Sequence, residues 1–316
     1  MRFGGTSRVP YGLVVTVAAV LVACTTAQAA TPRCFGAAAR DASKPCTNPA
    51  LKLSVTPTPE DAVLEASAAC APLTSKVAPA RCSFGTRSKQ ARKTVALIGD
   101  SHAVHWRAAL QHVFKVHRWR GVTIYRSQCP FTGARTSLPG PDGSDCEQWK
   151  RDTLAYLNAH PEIDTIFVSG NTGAGVVVPA GQNRFEVKTA GYATGWGSLP
   201  ASIRHILVLR DPPHNRETTA ACVERAIERR KPAGTTCQVP VATALAPDPA
   251  VEAAKRLNSP RVQAIDLTPF MCDAANCFPG IGGALVHKDV GHISTTFSTT
   301  LGPYVLRELN ARMAEW

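Results

Sequence analysis

Beyond residue 29 the sequence holds no apolar run approaching the roughly 20 residues that a membrane-spanning helix needs, so a polytopic membrane fold is not expected. Metal chemistry finds little support either. Ten cysteines follow Cys24, but none are spaced as Cys-x-x-Cys and the histidines do not cluster beside them, so neither a metal nor a cofactor is expected. Phe, Trp and Tyr make up only 6% of residues, and the scattered basic residues form no aromatic-interleaved patch. A surface that stacks bases between cations is therefore not expected, and nucleic acid is set aside as a partner. The densest basic run, Arg229-Arg230-Lys231, reads as a solvated helix end. Internal repeats and low-complexity tracts are absent.

What is present begins with an export signal. Arg2 and Arg8 precede an uncharged apolar run from Leu13 to Ala23, and Ala27-Gln28-Ala29 offers a small-x-small cleavage site. Residues 1–29 are read as a secretory signal peptide. A competing cleavage before Cys24 would leave that cysteine as a lipidated N-terminus, but Val22 and the residues after Cys24 make an indifferent lipobox. Ten remaining cysteines fall into close couples, and nearest-neighbour pairing gives Cys34–Cys46, Cys70–Cys82, Cys129–Cys146, Cys222–Cys237 and Cys272–Cys277. Such usage fits an oxidising, extracytoplasmic compartment. Without the signal, 33 basic residues face 23 acidic ones, a net charge of +10 that favours anionic surroundings such as an envelope polymer or lipid headgroups.

Residues 30–93, rich in Ala, Pro, Ser and Thr, are expected to form an irregular N-terminal arm with disulfide loops, packed on a main domain at 94–316. From Thr94 short apolar runs alternate with helical patterns, the mark of a parallel sheet covered on both faces. Strands are expected at Thr94–Ile98, Val122–Tyr125, Thr165–Val168, His205–Leu209 and Val262–Ile265. Helices are expected at His105–His117, Glu147–Ala159, Ala220–Arg230, Ala250–Leu257 and Thr300–Ala314. In such sheets functional groups collect on loops at the carboxyl ends of the strands.

Ser101, in "TVALIGDSHAVHW", stands two residues past the first of these strands and directly before a helix. That position suits a nucleophile beside the free N–H groups of a helix start, although Asp and Ser are also the preferred helix caps. A serine needs a base, and the base needs an orienting partner. "VHKDVGHIST" supplies Asp289 and His292, spaced so that the carboxylate takes the imidazole Nδ1–H and leaves Nε2 for the serine proton. Asn171, in "FVSGNTG" after the third strand, is a candidate oxyanion donor, although Asn in a Gly-flanked turn often serves backbone geometry.

Gly99-Asp100-Ser101-His102, Gly170-Asn171 and Asp289-x-x-His292 resemble the blocks of the SGNH (GDSL-like) hydrolase superfamily, whereas Ala103 breaks the lipase-type Gly-x-Ser-x-Gly pattern. With "SQCPF", "VLRDPP", "CDAANC" and "KDVGHISTTFS", the chain looks most like the extracytoplasmic SGNH domain usually fused to membrane O-acyltransferases of the O-antigen acetylase type. The resemblance runs from about Cys70 to the C-terminus. It implies a disulfide-stabilised three-layer α/β/α sandwich with a mainly parallel, flavodoxin-like sheet. Ser101 would carry the acyl group, with His292 as base, Asp289 orienting it, and Asn171 stabilising the oxyanion; the superfamily's oxyanion glycine has only Gly133 as a counterpart.

His102, Trp106 and Arg210 are carried as substrate-binding candidates, with packing, core burial and an ion pair as the plainer readings. Trp106, Trp119, Trp149 and Trp196 are candidate walls of a sugar cleft, against the default of core packing, and Ser294 and Ser298 are expected to cap the last helix. The leading expectation is a secreted serine acyl-enzyme that adds or removes small O-acyl groups, acetyl foremost, on a cell-envelope glycan. A separate membrane acyltransferase would supply the acyl group in the transfer case. A lipid-ester or thioester hydrolase and a catalytically silent glycan-binding protein are the alternatives.

Overall fold

The computed structural model describes residues 1–5, 31–73 and 79–315. The expected signal peptide and Cys24 fall almost wholly outside these residues. Residues Pro32–Trp316 form one compact unit. Its centre is a seven-stranded sheet of β1 (Ala71–Pro72), β2 (Ala80–Gly85), β3 (Lys93–Gly99), β4 (Trp119–Tyr125), β5 (Ile163–Ser169), β6 (His205–Leu209) and β7 (Val262–Ile265), in the spatial order β1-β2-β4-β3-β5-β6-β7. The last five positions are parallel neighbours, and β1 and β2 add an antiparallel edge beside β4. The parallel order is that of flavodoxin-like sheets, in which the winding reverses about the first strand, here β3.

Strand periodicity sorts the core into two layers. Val95, Leu97, Phe167, Leu207 and Leu209 face the helices Arg107–His117 and Thr295–Met313. The alternating residues Ala96, Ile98, Ile166, Val168, Ile206 and Val208 face the opposite layer, where the helices Gly140–Ala159, Arg184–Gly197 and Pro249–Leu257 pack. The result is the α/β/α sandwich. All five nearest-neighbour disulfides are formed.

The five expected strands are present, each within three residues of its expected bounds. The differences lie elsewhere. Part of the stretch read as an irregular arm is ordered into the sheet as β1 and β2, and Pro59–Leu64 is a helix capped by Thr58, whose Oγ1 accepts from the Asp61 N–H. The helix Arg184–Gly197 was not foreseen, because its glycines and threonines break the apolar period. They are there for close approach: a Cβ on Gly191 would lie 2.5 Å from the Ala134 Cβ, and one on Gly195 2.8 Å from the Gly133 nitrogen.

Four tryptophans considered for a sugar cleft are buried instead. Trp106 and Trp119 belong to one core layer, and Trp149 and Trp196 to the other. Their apolar area outweighs any need for an exposed platform.

Candidate active site

The turn after β3 carries the serine, and local sterics account for its spelling. A Cβ on Gly99 would lie 1.8 Å from the Ser169 carbonyl oxygen of the neighbouring strand, so only glycine fits. Asp100 then caps the five-residue helix Ser101–His105: its Oδ1 accepts from the His102 N–H at 2.8 Å, and its Oδ2 accepts from the Asn171 N–H at 2.9 Å. The cap role that Ser101 might have filled is thus taken by Asp100, and the Ser101 hydroxyl is left for other work. Burial raises the Asp100 carboxyl. Its two backbone hydrogen bonds tie the β3 turn to the β5 turn, on either side of the point where the winding reverses.

The far end of the chain brings His292 and Asp289 to this turn. His292 Nε2 lies 2.9 Å from Ser101 Oγ, and its Nδ1 lies 2.9 and 3.0 Å from the two oxygens of Asp289. Asp289 Oδ1 also accepts from the backbone N–H groups of Gly291 and His292, at 2.9 and 2.7 Å, which closes the Asp-x-x-His turn on its own carboxylate. Burial alone would raise the Asp289 carboxyl, but the His292 imidazole and these N–H groups hold it well below the usual carboxylate range. An ionised Asp289 selects the tautomer with the proton on Nδ1 and frees Nε2 to accept from serine. Gly291 lets the turn pass over His102; a Cβ there would lie 3.1 Å from the His102 ring.

Asn171 sits on the adjoining turn. Its Oδ1 accepts from the Gly173 N–H at 2.7 Å, so the side-chain amide is oriented and its NH₂ has no protein acceptor among the described residues. The Ser101 N–H likewise meets no acceptor among them. Gly133 is corrected: its N–H donates to the Gly191 carbonyl at 2.9 Å, across the glycine face of the helix Arg184–Gly197, and is not available to an oxyanion.

The other candidates are also relocated. His102 lines no acceptor pocket: it is only 1% exposed, and its Nδ1 lies 2.6 Å from Asp211 Oδ1. Arg210 points away, with its guanidinium 3.6 Å from Asp266 and 3.4 Å from the Ala246 carbonyl, in keeping with the plainer ion-pair reading. Trp106 is core. Ser294 caps the last helix by accepting from the Phe297 N–H, whereas Ser298 donates to the His105 carbonyl and pins two helices together.

Asp211 is the residue that sequence reasoning undervalued. It follows β6 at the same sheet edge, and its Oδ2 accepts from the Thr172 N–H at 2.8 Å, the Thr172 hydroxyl at 2.9 Å and His214 Nε2 at 3.2 Å. One buried carboxylate therefore holds the residue after Ser101 and the residue after Asn171. Burial would raise Asp211, but the hydrogen bonds from His102 and His214 bring it far below the ordinary range; burial would lower His102, and the Asp211 contact outweighs it and raises the imidazole. His102, Asp211 and His214 have ligand atoms within 4.8 Å of one another, but these atoms are engaged in hydrogen bonds among themselves and with Thr172.

Ser101 and His292 open into a cavity of about 190 Å³ whose wall includes Ala68, Val104, Ala108, Tyr125 and Ile293. The N-terminal stretch supplies part of that wall and is clamped there. Arg107 Nε donates to the Ala68 carbonyl at 2.8 Å, Thr295 Oγ1 donates to the Ala66 carbonyl at 3.0 Å, and Glu65 accepts from the Thr295 N–H at 2.8 Å and from the Thr296 hydroxyl.

A flavodoxin-like α/β/α domain with a Ser–His–Asp constellation at its switch point defines a class. Within it, the chain belongs to the family of SGNH domains fused to AT3 domains, whose model matches residues 67–307. Among solved structures, the periplasmic domain of a lipopolysaccharide acetyltransferase from Salmonella ser. Paratyphi A is similar in fold at 11% identity and a TM-score of 0.53, over 72% of this chain and 90% of that one. A family two carbohydrate esterase from Clostridium thermocellum, solved with cellohexaose, matches at 10% identity and a TM-score of 0.41, over 72% of this chain and 67% of that one. No protein of curated function matches the sequence. No helix among the described residues is long and apolar enough to cross a membrane.

Proposed function

We propose that this protein is an extracytoplasmic serine acyl-enzyme that moves small O-acyl groups, acetyl foremost, onto or off carbohydrate hydroxyls. The observation that carries the reading is the line from Ser101 Oγ through His292 to Asp289, with both spacings at 2.9 Å, at the mouth of a cavity sized for a short acyl chain. His292 Nε2 takes the Ser101 proton as Oγ attacks the ester carbonyl. The resulting oxyanion is met by the Ser101 N–H and the Asn171 amide. Collapse expels the donor oxygen, which leaves with the proton from His292, and an acyl-serine remains. A sugar hydroxyl gives its proton to His292 and attacks that acyl-serine, which regenerates Ser101.

Transfer is the favoured direction, because family members are fused to membrane AT3 domains, and a separate protein of that kind would hand acyl groups to this one. Water competes as acceptor, since the Asp289 and His292 side chains are 48% and 28% exposed. The similar lipopolysaccharide acetyltransferase domain supports an envelope glycan as substrate. The five disulfides support an oxidising compartment.

The test is covalent. Purified protein treated with a serine-directed fluorophosphonate should carry the adduct on Ser101, located by mass spectrometry, and both Ser101→Ala and His292→Ala should abolish rapid labelling. Labelling elsewhere, or labelling indifferent to His292, would overturn the reading.

A further inference from the structure

A second cavity, larger than the one at Ser101, opens at the carboxyl end of β4. It measures about 450 Å³ and is lined by Arg81, Tyr125, Arg126, Gln128, Leu138 and Asp142 among others. On the acyl-enzyme reading above, we propose that this cavity is the acceptor subsite and that it binds neutral pyranose residues of the glycan.

Its position is the first argument. Gly99 pairs in register with Tyr125 across β3 and β4, and the Arg126 N–H donates to the Gly99 carbonyl at 3.2 Å, so the floor of the cavity is bonded to the turn that carries Ser101. Tyr125 stands in the wall of both cavities. A glycan seated in the larger one lies alongside the acyl-serine rather than across the molecule from it.

Size separates the two. The larger volume falls within the roughly 300–1,000 Å³ typical of small-molecule sites, whereas the Ser101 cavity falls below it and suits an acyl group alone.

Charge then selects the ligand. The chain as a whole is strongly basic, but charges of both signs meet here: Arg81, Arg126 and Asp142 line the cavity, and Arg126 lies 3.6 Å from Asp142 and 3.3 Å from the neighbouring Asp145. An anionic sugar would have to displace those carboxylates from Arg126. A neutral sugar needs no such exchange, because its hydroxyls both donate and accept. Guanidinium and carboxylate groups, with the Gln128 amide, present donors and acceptors in one place. Tyr125 and Leu138 give the apolar face of a pyranose ring a surface to lie on.

The walls are also prebuilt. Cys129, one residue beyond Gln128, is joined to Cys146 in the helix Gly140–Ala159, whose first turn carries Asp142. Holding both walls before the ligand arrives lowers the ordering cost of binding.

The test separates binding from chemistry. Fluorescently labelled Ser101→Ala protein is applied to an array of neutral and acidic oligosaccharides, beside Ser101→Ala carrying Arg81→Ala, Asp142→Ala or the cavity-filling Ser127→Trp. The expected result is retention of neutral pyranosides, reduced at least fivefold by each added change, with thermal unfolding of each variant confirming that it is folded. Retention of acidic glycans alone, no retention of neutral ones, or retention indifferent to all three changes would overturn the subsite. Fluorophosphonate labelling of the unmodified protein reports the acyl-enzyme reading independently: labelled Ser101 without glycan retention sinks the subsite alone, and retention without labelling sinks the enzyme reading alone.

Discussion

His102 lies directly against His292, with ring centroids 4.6 Å apart. Behind each imidazole stands a carboxylate: Asp289 for His292, at the surface, and Asp211 for His102, buried to 3%. Two Asp–His pairs thus share one edge of the sheet, and only the outer one reaches Ser101. The inner pair acts as a brace, because Asp211 also holds Thr172 beside the Asn171 turn.

Replacing Asp211 by Asn removes the charge while keeping the shape. One amide cannot accept from His102, Thr172 and His214 together, so a buried hydrogen-bond network is broken. A loss of about 3 kcal/mol in unfolding free energy is expected, read from urea denaturation at neutral pH. The Asn171 turn should loosen with it, and fluorophosphonate labelling of Ser101 should slow by about 10- to 100-fold, because reactivity falls steeply when reacting groups are misplaced by even an ångström. A variant as stable and as reactive as the parent would remove the brace.

Stability should fall as the medium is acidified, and His287 is one cause. Its imidazole is fully buried, and burial pushes it down to about 4. The folded pKa is thus below the unfolded one of about 6.5, so between those values the unfolded chain binds the extra proton and stability rises with pH. From pH 7 to pH 4 this group alone costs about 3 kcal/mol. His287→Asn should flatten the urea midpoint across that window relative to the parent; an unchanged slope would mean that His287 is solvated.

Much of this architecture is legible in the chain because its signals are local. The five parallel strands are short apolar runs, and the pairing of Asp289 with His292 needs only three residues of separation. Pairs made by tertiary approach leave no such trace. Asp211 reads as the end of a strand beside two prolines, and nothing nearby in sequence announces that His102, 109 residues earlier, will meet it. Gly133 fails for the same reason: its N–H is taken by the Gly191 carbonyl of a helix that glycines hide from any periodicity. The short strands β1 and β2 owe their place to pairing with β4, not to their own composition.

Glu65 links the N-terminal stretch to the site. It accepts from the Thr295 N–H at the start of the last helix, where a carboxylate is favoured by the helix dipole. Glu65→Ala should cost about 1 kcal/mol as a lost cap. It should also release the Ser67–Ala68 wall of the Ser101 cavity, which would raise the KM for nitrophenyl acetate more than it lowers kcat. An effect on kcat alone would place the contribution of Glu65 in the chemistry instead of in the wall.

The size of the Ser101 cavity sets the last expectation. At about 190 Å³ between Ala68, Val104, Ala108 and Ile293, it has room for a short acyl chain, and a long one must displace side chains that are already packed. A chain that overfills such a pocket costs about 1–3 kcal/mol or more, so kcat/KM should fall at least tenfold from nitrophenyl acetate and butyrate to nitrophenyl octanoate. Val104→Ala removes two methyl groups from that wall and should narrow the gap between short chains and octanoate without reversing it. Val104 precedes the half-buried His105 on the helix Ser101–His105, so the unfolding midpoint of the variant is measured alongside. A parent enzyme that prefers octanoate would identify the cavity as the mouth of a longer acyl channel and favour a lipid ester over a sugar acetate.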